Sequence, residues 1–176
     1  MVQDKDLKDL QLPIEPDGFM RTLIGELAEA LQNVVGVQDA AGYISVVASR
    51  FGDAIDSSYR QGLAVEQLNR EQVAAVLVDL KRRINGNFFI VEESADRIVL
   101  GNNACPFGDK VIGRPSLCMM TSNVFGRIAA NNLGYAKVEL QETIAQGHPN
   151  CRIVIHLGGS ADHSATPGRD YYRAPD

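Results

Sequence analysis

The first half of the chain has apolar residues at helical spacing in three stretches. The spacing predicts a helix over residues 18–35, capped by Asp17 and stopped by Gly36. It predicts a second helix over residues 40–61 and a third that begins at the cap Asn69 and ends near residue 84. The apolar residues predicted to face the core are Phe19, Leu23, Leu27, Ala30 and Leu31 in the first helix, Ile44, Val47, Ala48, Phe51, Ile55 and Tyr59 in the second, and Val73, Val76, Leu77 and Leu80 in the third.

The second half changes to short apolar runs separated by turn residues. Residues 87–92 and 97–100 read as a hairpin, and a helix capped by Ser116 is predicted to run to Leu133, with Gly134 as its stop. Two further strands are predicted, over residues 135–142 and residues 151–157. Hairpins with segregated helices predict an α+β fold, in which an antiparallel sheet built from hairpins packs against several helices.

The two ends of the chain lack this patterning. Residues 1–17 contain prolines and polar residues and are predicted to form an N-terminal arm. Residues 158–176 are rich in Gly, Ser, Asp, Pro and Arg, and this composition predicts a disordered tail or linker. A single α+β domain is therefore predicted over residues 18–157.

Charge and composition narrow the classes of function. The net charge of -5 and the lack of clustered basic residues argue against nucleic-acid binding, because Lys81, Arg82 and Arg83 together form the densest basic run and end a predicted helix. No apolar run approaches the roughly 18 residues that span a bilayer, and the charged N-terminus does not resemble a signal peptide. We therefore expect a cytoplasmic protein without membrane contact, in which cysteines serve as ligands, reactive thiols or buried apolar residues.

The three cysteines are the main candidates for chemistry. Cys105 lies in a glycine-bearing loop, Cys118 near a helix start and Cys151 at a strand start, all places where ligands can converge. Three thiolates and one further ligand would suit zinc or an iron–sulfur cluster. Glu139 or Glu142 could supply a carboxylate, although alternation along a strand prevents both from pointing inward. The cysteines could equally be small buried hydrophobes, since no CxxC pair is present.

Other candidate residues carry weaker signals. Cys105 precedes Pro106, and such a pair can present a thiolate to haem iron, so haem remains a minor hypothesis. His148 lies in a turn, where solvation is favoured over metal ligation; His156 reads as a core or edge residue, and His163 falls in the tail. A small apolar ligand could bind beside the last predicted helix, in a pocket lined by Met119, Met120 and Phe125. No nucleophile elbow or catalytic triad pattern is present, so catalysis is not predicted.

The stretches CPFGD, SLCMMTSNVFGRIAANNLGYAKVEL and ETIAQGHPNCRIVIHL, between residues 104 and 157, resemble the family called methanogen output domain 1. More distantly, GYAKVEL followed by GHPNC is similar to the end of 4-vinyl-reductase sensor domains. The resemblance implies an α+β sandwich, commonly dimeric, with an apolar ligand pocket. In zinc-binding members of the wider group, the first cysteine, the carboxylate and the last cysteine would match Cys118, Glu139 and Cys151. Thr143 lies near the place of the intermediate cysteine, and Cys105 could substitute for it.

These observations predict a sensor or output module of signal transduction that reports to a partner protein from a cysteine-based metal or redox site. A small-molecule binding domain with a structural metal is the first alternative, and a metal- or thiol-dependent enzyme is the second. The resemblance also favours a homodimer. The predicted helix over residues 40–61 could supply its interface, although a role in the core is favoured for that helix.

Overall fold

The computed structural model describes residues 10–12, 14–158 and 166–173. Three α-helices and five β-strands account for most of these residues: α1 Pro16–Gly62, α2 Arg70–Arg83, β1 Phe88–Glu93, β2 Arg97–Asn102, α3 Cys118–Leu133, β3 Tyr135–Glu142, β4 Cys151–Leu157 and β5 Arg169–Tyr172. The strands form one sheet in the order β1-β2-β4-β3-β5, and every neighbouring pair is antiparallel. The predicted α+β class is confirmed.

The main core lies between the sheet and the helices α2 and α3. Alternate positions of β4, such as Ile153 and Ile155, point into this core together with Phe125 and Ile128 of α3. The ring of Phe125 packs edge-on against the ring of Phe88, with 5.6 Å between their centroids. Helix α1 makes most of its contacts with α3, so it forms an outer layer over the core.

Helix α1 joins the two helices that the sequence predicts as separate. Gly36 has a φ of 83° and a ψ of 162°, which interrupts the helical geometry and produces a kink. The helix starts at Pro16, where the missing N–H of proline costs nothing, and the residue that precedes it is Glu15. The prediction that Asp17 caps the helix is wrong, because Asp17 lies in the first turn and pairs with Arg21.

The outer face of α1 is apolar and exposed to solvent. Phe19, Leu23 and Leu27 were expected to face the core, yet their exposed fractions are 59%, 41% and 61%. The same correction applies to Val47 and Phe51 in the second half of the helix. Small residues form the buried side of the helix instead: Gly25, Ala28, Ala40, Ser45, Ala48 and Gly52.

The remaining helix boundaries follow local chemistry. Asn69 caps α2 as predicted, and Gln72 completes a capping box by accepting a hydrogen bond from the Asn69 N–H. Ser116 does not cap α3; it lies in a short 3-10 helix, and its backbone N–H and hydroxyl both bond to the side chain of Gln32. Gly134 ends α3 as predicted, with a φ of 91°.

The predicted disordered tail contains a strand. Residues 169–172 form β5 beside β3, so the tail prediction is wrong for this segment. Tyr171 lies over Gly126, where an added Cβ would come within 2.1 Å of the ring, and its hydroxyl hydrogen-bonds to Ser122. Arg169 reaches Ser45 of α1. Glycine at position 126 therefore allows the Tyr171 ring to pack directly against α3. The composition of residues 158–176 gives no sign of this contact. His163 and residues 1–9 lie outside the described residues.

Candidate functional site

Three cysteines converge on one small, partly enclosed cavity. Cys105 comes from the loop after β2, Cys118 is the first residue of α3, and Cys151 is the first residue of β4. The other lining residues are Phe88, Asn102, Pro106, Phe107, Val111, Leu117, Thr121, Leu140, Thr143 and Ile153. The cavity has a volume of about 30 Å³, which is enough for roughly two water molecules. All three thiols are free.

Polar groups surround the three sulfur atoms. The backbone N–H of Ile144 donates to Cys151 Sγ at 3.4 Å, and Asn102 Nδ2 donates to the same atom at 3.7 Å. The hydroxyl of Thr143 lies beside Cys118, but it donates its proton to Gln146 Oε1 at 2.9 Å, so towards Cys118 it can only accept. The backbone of Phe107 hydrogen-bonds to Cys105. Thr143 thus contributes a hydroxyl group to the cavity lining.

Burial keeps two of these thiols protonated. It raises the pKa of Cys118 to about 12, and it also raises the pKa of Cys105. A thiol in an apolar environment resists ionisation because the thiolate would lose its hydration. Since the thiolate is the nucleophile, these two cysteines are poorly suited to nucleophilic attack at neutral pH.

A buried lysine lies beside the cysteines, and the sequence analysis did not identify it. Lys81 near the end of α2 is only 5% exposed, and its Nζ donates to Thr121 Oγ1 at 2.7 Å. The same ammonium lies 5.3 Å from the centre of the Phe88 ring and 5.1 Å from that of Phe125. Burial lowers the pKa of Lys81 to about 8, and all three cysteines partly oppose this shift.

The basic run at the end of α2 therefore splits into two environments. Arg82 and Arg83 both pair with Asp79 at the protein surface, whereas Lys81 turns inward. The sequence predicts only that the run ends a helix, where cations suit the helix dipole. The 3.6-residue period could have separated these residues, since Lys81 lies on the same face as the core residue Leu77.

The other proposed metal ligands do not join the cysteines. Glu139 alternates with the core residues Val138 and Leu140, so it projects from the opposite face of the sheet and hydrogen-bonds to His156 at 3.2 Å. Glu142 and His148 are both exposed. Within the described ranges, no three Cys, His, Asp or Glu side chains are positioned to hold a metal ion. The arrangement therefore does not fit the proposed ligand set of three cysteines with Glu139, Glu142 or His148.

The predicted apolar pocket also differs from the observed cavity. Met119, Met120 and Phe125 are not among the residues that line the cavity. Phe125 is fully buried in the main core, and Met120 packs against that core. The cavity wall that α3 provides comes instead from Cys118 and Thr121.

A second hydrophobic cluster connects the cavity with the first half of α1. Val111 and Leu117, from the segment that follows Cys105, pack there against Ala28. The partly buried members of this cluster are Ile24, Ile44, Cys105, Phe107, Cys118 and Ile144. Arg114 strengthens the contact by pairing with Glu26 and Glu29 of α1. Two cysteines of the cavity thus share a packed cluster with the buried side of α1.

A larger and more open groove lies between α1 and α2. Its volume is about 700 Å³, and it is lined by Ile55, Ser58, Tyr59, Gly62, Leu63, Gln72, Ala75, Val76, Asp79, Leu80 and Arg83. The Tyr59 hydroxyl donates to Asp79 at 2.8 Å, and burial together with this contact raises the pKa of Tyr59 to about 12. The groove holds no cysteine. In the parts of the chain that the structure describes, no helix has the length and hydrophobicity needed to cross a membrane.

The fold is shared with solved structures of low sequence identity. The phenol-responsive sensory domain of the transcription activator PoxR, in a structure with phenol, matches with a TM-score of 0.64 and 13% identity over 78% of this chain and 74% of that one. A trafficking protein particle complex subunit 3 from Naegleria fowleri, covalently bound to palmitic acid, matches with a TM-score of 0.60 and 11% identity over 90% and 98%. An Fe(II) unliganded H-NOX protein mutant from K. algicida matches with a TM-score of 0.53 and 14% identity over 76% and 72%. These likenesses establish the fold.

The family follows from the sequence itself. The model of methanogen output domain 1 matches residues 23–156, which include α2, α3, the strands β1 to β3, β4 except for Leu157, and all three cysteines. The chain therefore belongs to the methanogen output domain 1 family, as its motifs predicted. A comparison with curated proteins finds no match.

Proposed function

We propose that this protein is a signal-transduction module that senses a small effector in the cysteine cavity and reports its presence through the outer face of α1. The observation that carries the proposal is the convergence of Cys105, Cys118 and Cys151, from three separate elements, on one cavity. Membership of an output-domain family supports a signalling role. The cavity is small, so the effector would be a small molecule or ion, or a small group attached to a thiol.

The route from the cavity to α1 runs through the segment between Cys105 and Leu117. This segment carries one cavity cysteine at its start, and its residues Val111 and Leu117 pack against Ala28. An occupant that displaces the cavity wall would therefore push on the first half of α1. The kink at Gly36 separates that half from the rest of the helix, which lets it move as a unit in this proposal.

The exposed face of α1 would report the signal to a second copy of the chain. Met20, Leu27 and Val34 recur every seven residues, and Leu23 and Ala30 follow at the intermediate positions of a coiled-coil seam. A stable dimer buries roughly 800 Å² on each partner. Ten large apolar side chains on α1, each at least 41% exposed, supply an area of that order: Phe19, Met20, Leu23, Leu27, Val34, Val37, Tyr43, Val46, Val47 and Phe51. The proposed interface thus uses both halves of the helix; a separate signalling protein could bind the same face.

The module is proposed to be non-catalytic. Raised thiol pKa values at Cys105 and Cys118 leave those groups protonated, and Lys81 is held by Thr121 and two aromatic rings. His156 is bonded to Glu139 on the opposite face of the sheet and lies away from the thiols. This arrangement suits binding better than proton transfer.

The test is whether a change in the cavity alters self-association. Methyl methanethiosulfonate converts a thiol to a methyl disulfide and releases methanesulfinate, which adds a thiomethyl group to the cavity lining. Excess reagent at alkaline pH is used, because the thiols of Cys105 and Cys118 resist ionisation. We expect modification, verified by mass spectrometry, to change the dimer dissociation constant in sedimentation equilibrium by at least threefold. The triple variant Cys105→Ala, Cys118→Ala, Cys151→Ala is the control and should not respond. An unchanged dissociation constant after full modification would contradict the proposal.

A soft metal ion is the second candidate effector, favoured by the three thiols that line one cavity. Zinc or an iron–sulfur cluster would need these thiols to move closer together, and Glu139 would not take part. Haem has only the Cys105-Pro106 pair in its favour. Elemental analysis and an absorption spectrum of protein purified without oxygen decide this candidate. About one metal per chain, lost in the triple alanine variant, would support it, and metal-free protein would refute it.

A further inference from the structure

Lys81 is a buried cation without an anionic partner. The residue is 5% exposed, and within the described residues no carboxylate lies at ion-pair distance from its ammonium. By contrast, the adjacent Arg82 and Arg83 share the carboxylate of Asp79. An unpaired buried charge is costly, and one neutral hydroxyl with two aromatic faces offsets only part of that cost. The structure therefore has a positive charge close to the cysteine cavity that nothing described neutralises.

Two residues that contact the Lys81 ammonium also line the cavity. Lys81 donates to Thr121 Oγ1, and Thr121 lines the cavity. The Thr121 hydroxyl proton has no acceptor among the described residues, so it is free to donate into the cavity. Phe88, whose ring face lies against the ammonium, also lines the cavity.

The cysteines add further donors to the same space. Cys105 and Cys151 already accept hydrogen bonds from the backbone of Phe107 and of Ile144. Their own thiol protons are then left as weak donors. An apolar cavity with several donors and a nearby cation complements one negative charge.

From this geometry we infer that the cysteine cavity binds a monovalent anion of two or three atoms, with Lys81 as its counter-charge and Thr121 as a direct hydrogen-bond donor. The size limit comes from the cavity volume of about 30 Å³, which cannot hold a larger anion unless the lining residues rearrange. The inference specifies the effector class of the proposed function. It is separable from that function, because the anion could bind without any effect on α1.

Azide is a suitable probe because it is a triatomic monoanion with an infrared band that responds to its surroundings. In chloride-free buffer balanced with sulfate, we expect azide to shift its antisymmetric stretch on binding and to raise the Tm of the protein. In Lys81→Met the azide affinity should fall at least tenfold, whereas Arg82→Gln should bind as the wild type does. Thr121→Val gives a second variant if Lys81→Met does not fold, and it should weaken binding several-fold.

The outcomes separate the two proposals. A bound azide band that is lost in Lys81→Met or Thr121→Val supports the anion site, whatever happens to the dimer. The absence of any band shift or Tm change in the wild type would overturn it. So would azide binding in Lys81→Met and Thr121→Val that is as tight as in the wild type. In that case, a change of self-association on thiol modification would still stand as evidence for the sensing role.

Discussion

Lys81 sets the electrostatic character of the cavity at the scale of single residues. An ammonium in a dry environment loses hydration, which is why burial lowers the pKa of Lys81 to about 8 from an ordinary value of 10.5. The hydrogen bond to Thr121 and the rings of Phe88 and Phe125 hold the charge in place. A residue kept at such a cost is expected to leave a signature in the pH dependence of stability.

The sign of that signature follows from proton linkage. Below pH 8, Lys81 is protonated in the folded and unfolded states, so the burial penalty is complete. As the pH rises from 8 toward 10.5, the folded protein releases the proton first, and its stability increases. We predict that the free energy of unfolding of the wild type, minus that of Lys81→Met, increases by about 1 kcal/mol between pH 8 and pH 9.

Chemical denaturation at closely spaced pH values would measure this difference. Cys118 acts in the opposite direction, since its raised pKa means that the unfolded chain loses the thiol proton above 9.0 while the folded chain keeps it. This contribution is present in both proteins, so it cancels when the two free energies are subtracted. A difference that stays flat between pH 8 and 9 would show that the Lys81 ammonium is not desolvated as described.

The sequence identifies the cysteines of the cavity but not their surroundings. Their positions in a loop, at a helix start and at a strand start are enough to predict convergence. Whether a neighbouring charge turns inward depends on the helix face. The 3.6-residue period puts Lys81 on the face of Leu77 and Arg82 off it, but the period alone does not show that a lysine at that place is buried. Glu139 was assigned by motif resemblance, and strand alternation places it on the other face.

At the scale of elements, Gly36 determines the kink in α1. Its φ of 83° and ψ of 162° belong to a region that only glycine occupies at low cost. Nothing lies within 4 Å of the position where a Cβ would be, so a substitution there changes backbone strain without a steric clash. Gly42 on the same helix also has open space but no such φ, which makes it a matched control.

We predict that Gly36→Ala destabilises the fold by about 1–3 kcal/mol, because alanine either strains the kink or straightens the helix away from α3. Gly42→Ala should be neutral or stabilising by up to about 1 kcal/mol, since alanine is the better helix former. Urea denaturation of the two variants measures both values. Equal stability of Gly36→Ala and the wild type would mean that the kink is not intrinsic to the fold.

Strand β5 depends on a second glycine. We predict that Gly126→Ala displaces Tyr171, because the new methyl group would overlap its ring, and that this costs about 1–3 kcal/mol. Backbone amide exchange should then increase in residues 169–172 while the pairing of β3 with β4 stays protected. Unchanged exchange in β5 would show that the strand is not held by this contact; Gly18→Ala, in open space, serves as the control.

The elements themselves were largely predictable from the sequence. β3 and β4 have the predicted bounds, and the Asn69 cap and the Gly134 stop are in place, because alternation, capping and glycine stops are local signals. β5 was missed since a four-residue strand after a glycine-rich segment carries little pattern of its own. The inward face of α1 was misassigned because its largest apolar residues lie on the side away from the core.

At the scale of the whole molecule, the main feature is the exposed apolar face of α1. Large contiguous apolar surfaces on a folded chain mark interaction sites. We predict that the wild type is a dimer in light scattering, and that Leu27→Glu raises its dissociation constant roughly 100-fold or more, because a buried carboxylate would replace a seam residue. Ile84→Glu, which changes an apolar side chain that is 45% exposed outside α1, should leave the dimer intact. Equal dissociation constants for the two variants would remove α1 from the interface.

The central claim is that the cysteine cavity and the first half of α1 are coupled. Hydrogen–deuterium exchange with mass spectrometry tests it most directly, on the full chain before and after modification by methyl methanethiosulfonate. We predict altered exchange in residues 16–35 and in the segment from Cys105 to Leu117, with no change in the triple alanine variant. A response confined to the cavity lining, with α1 unaffected in the fully modified protein, would contradict the account.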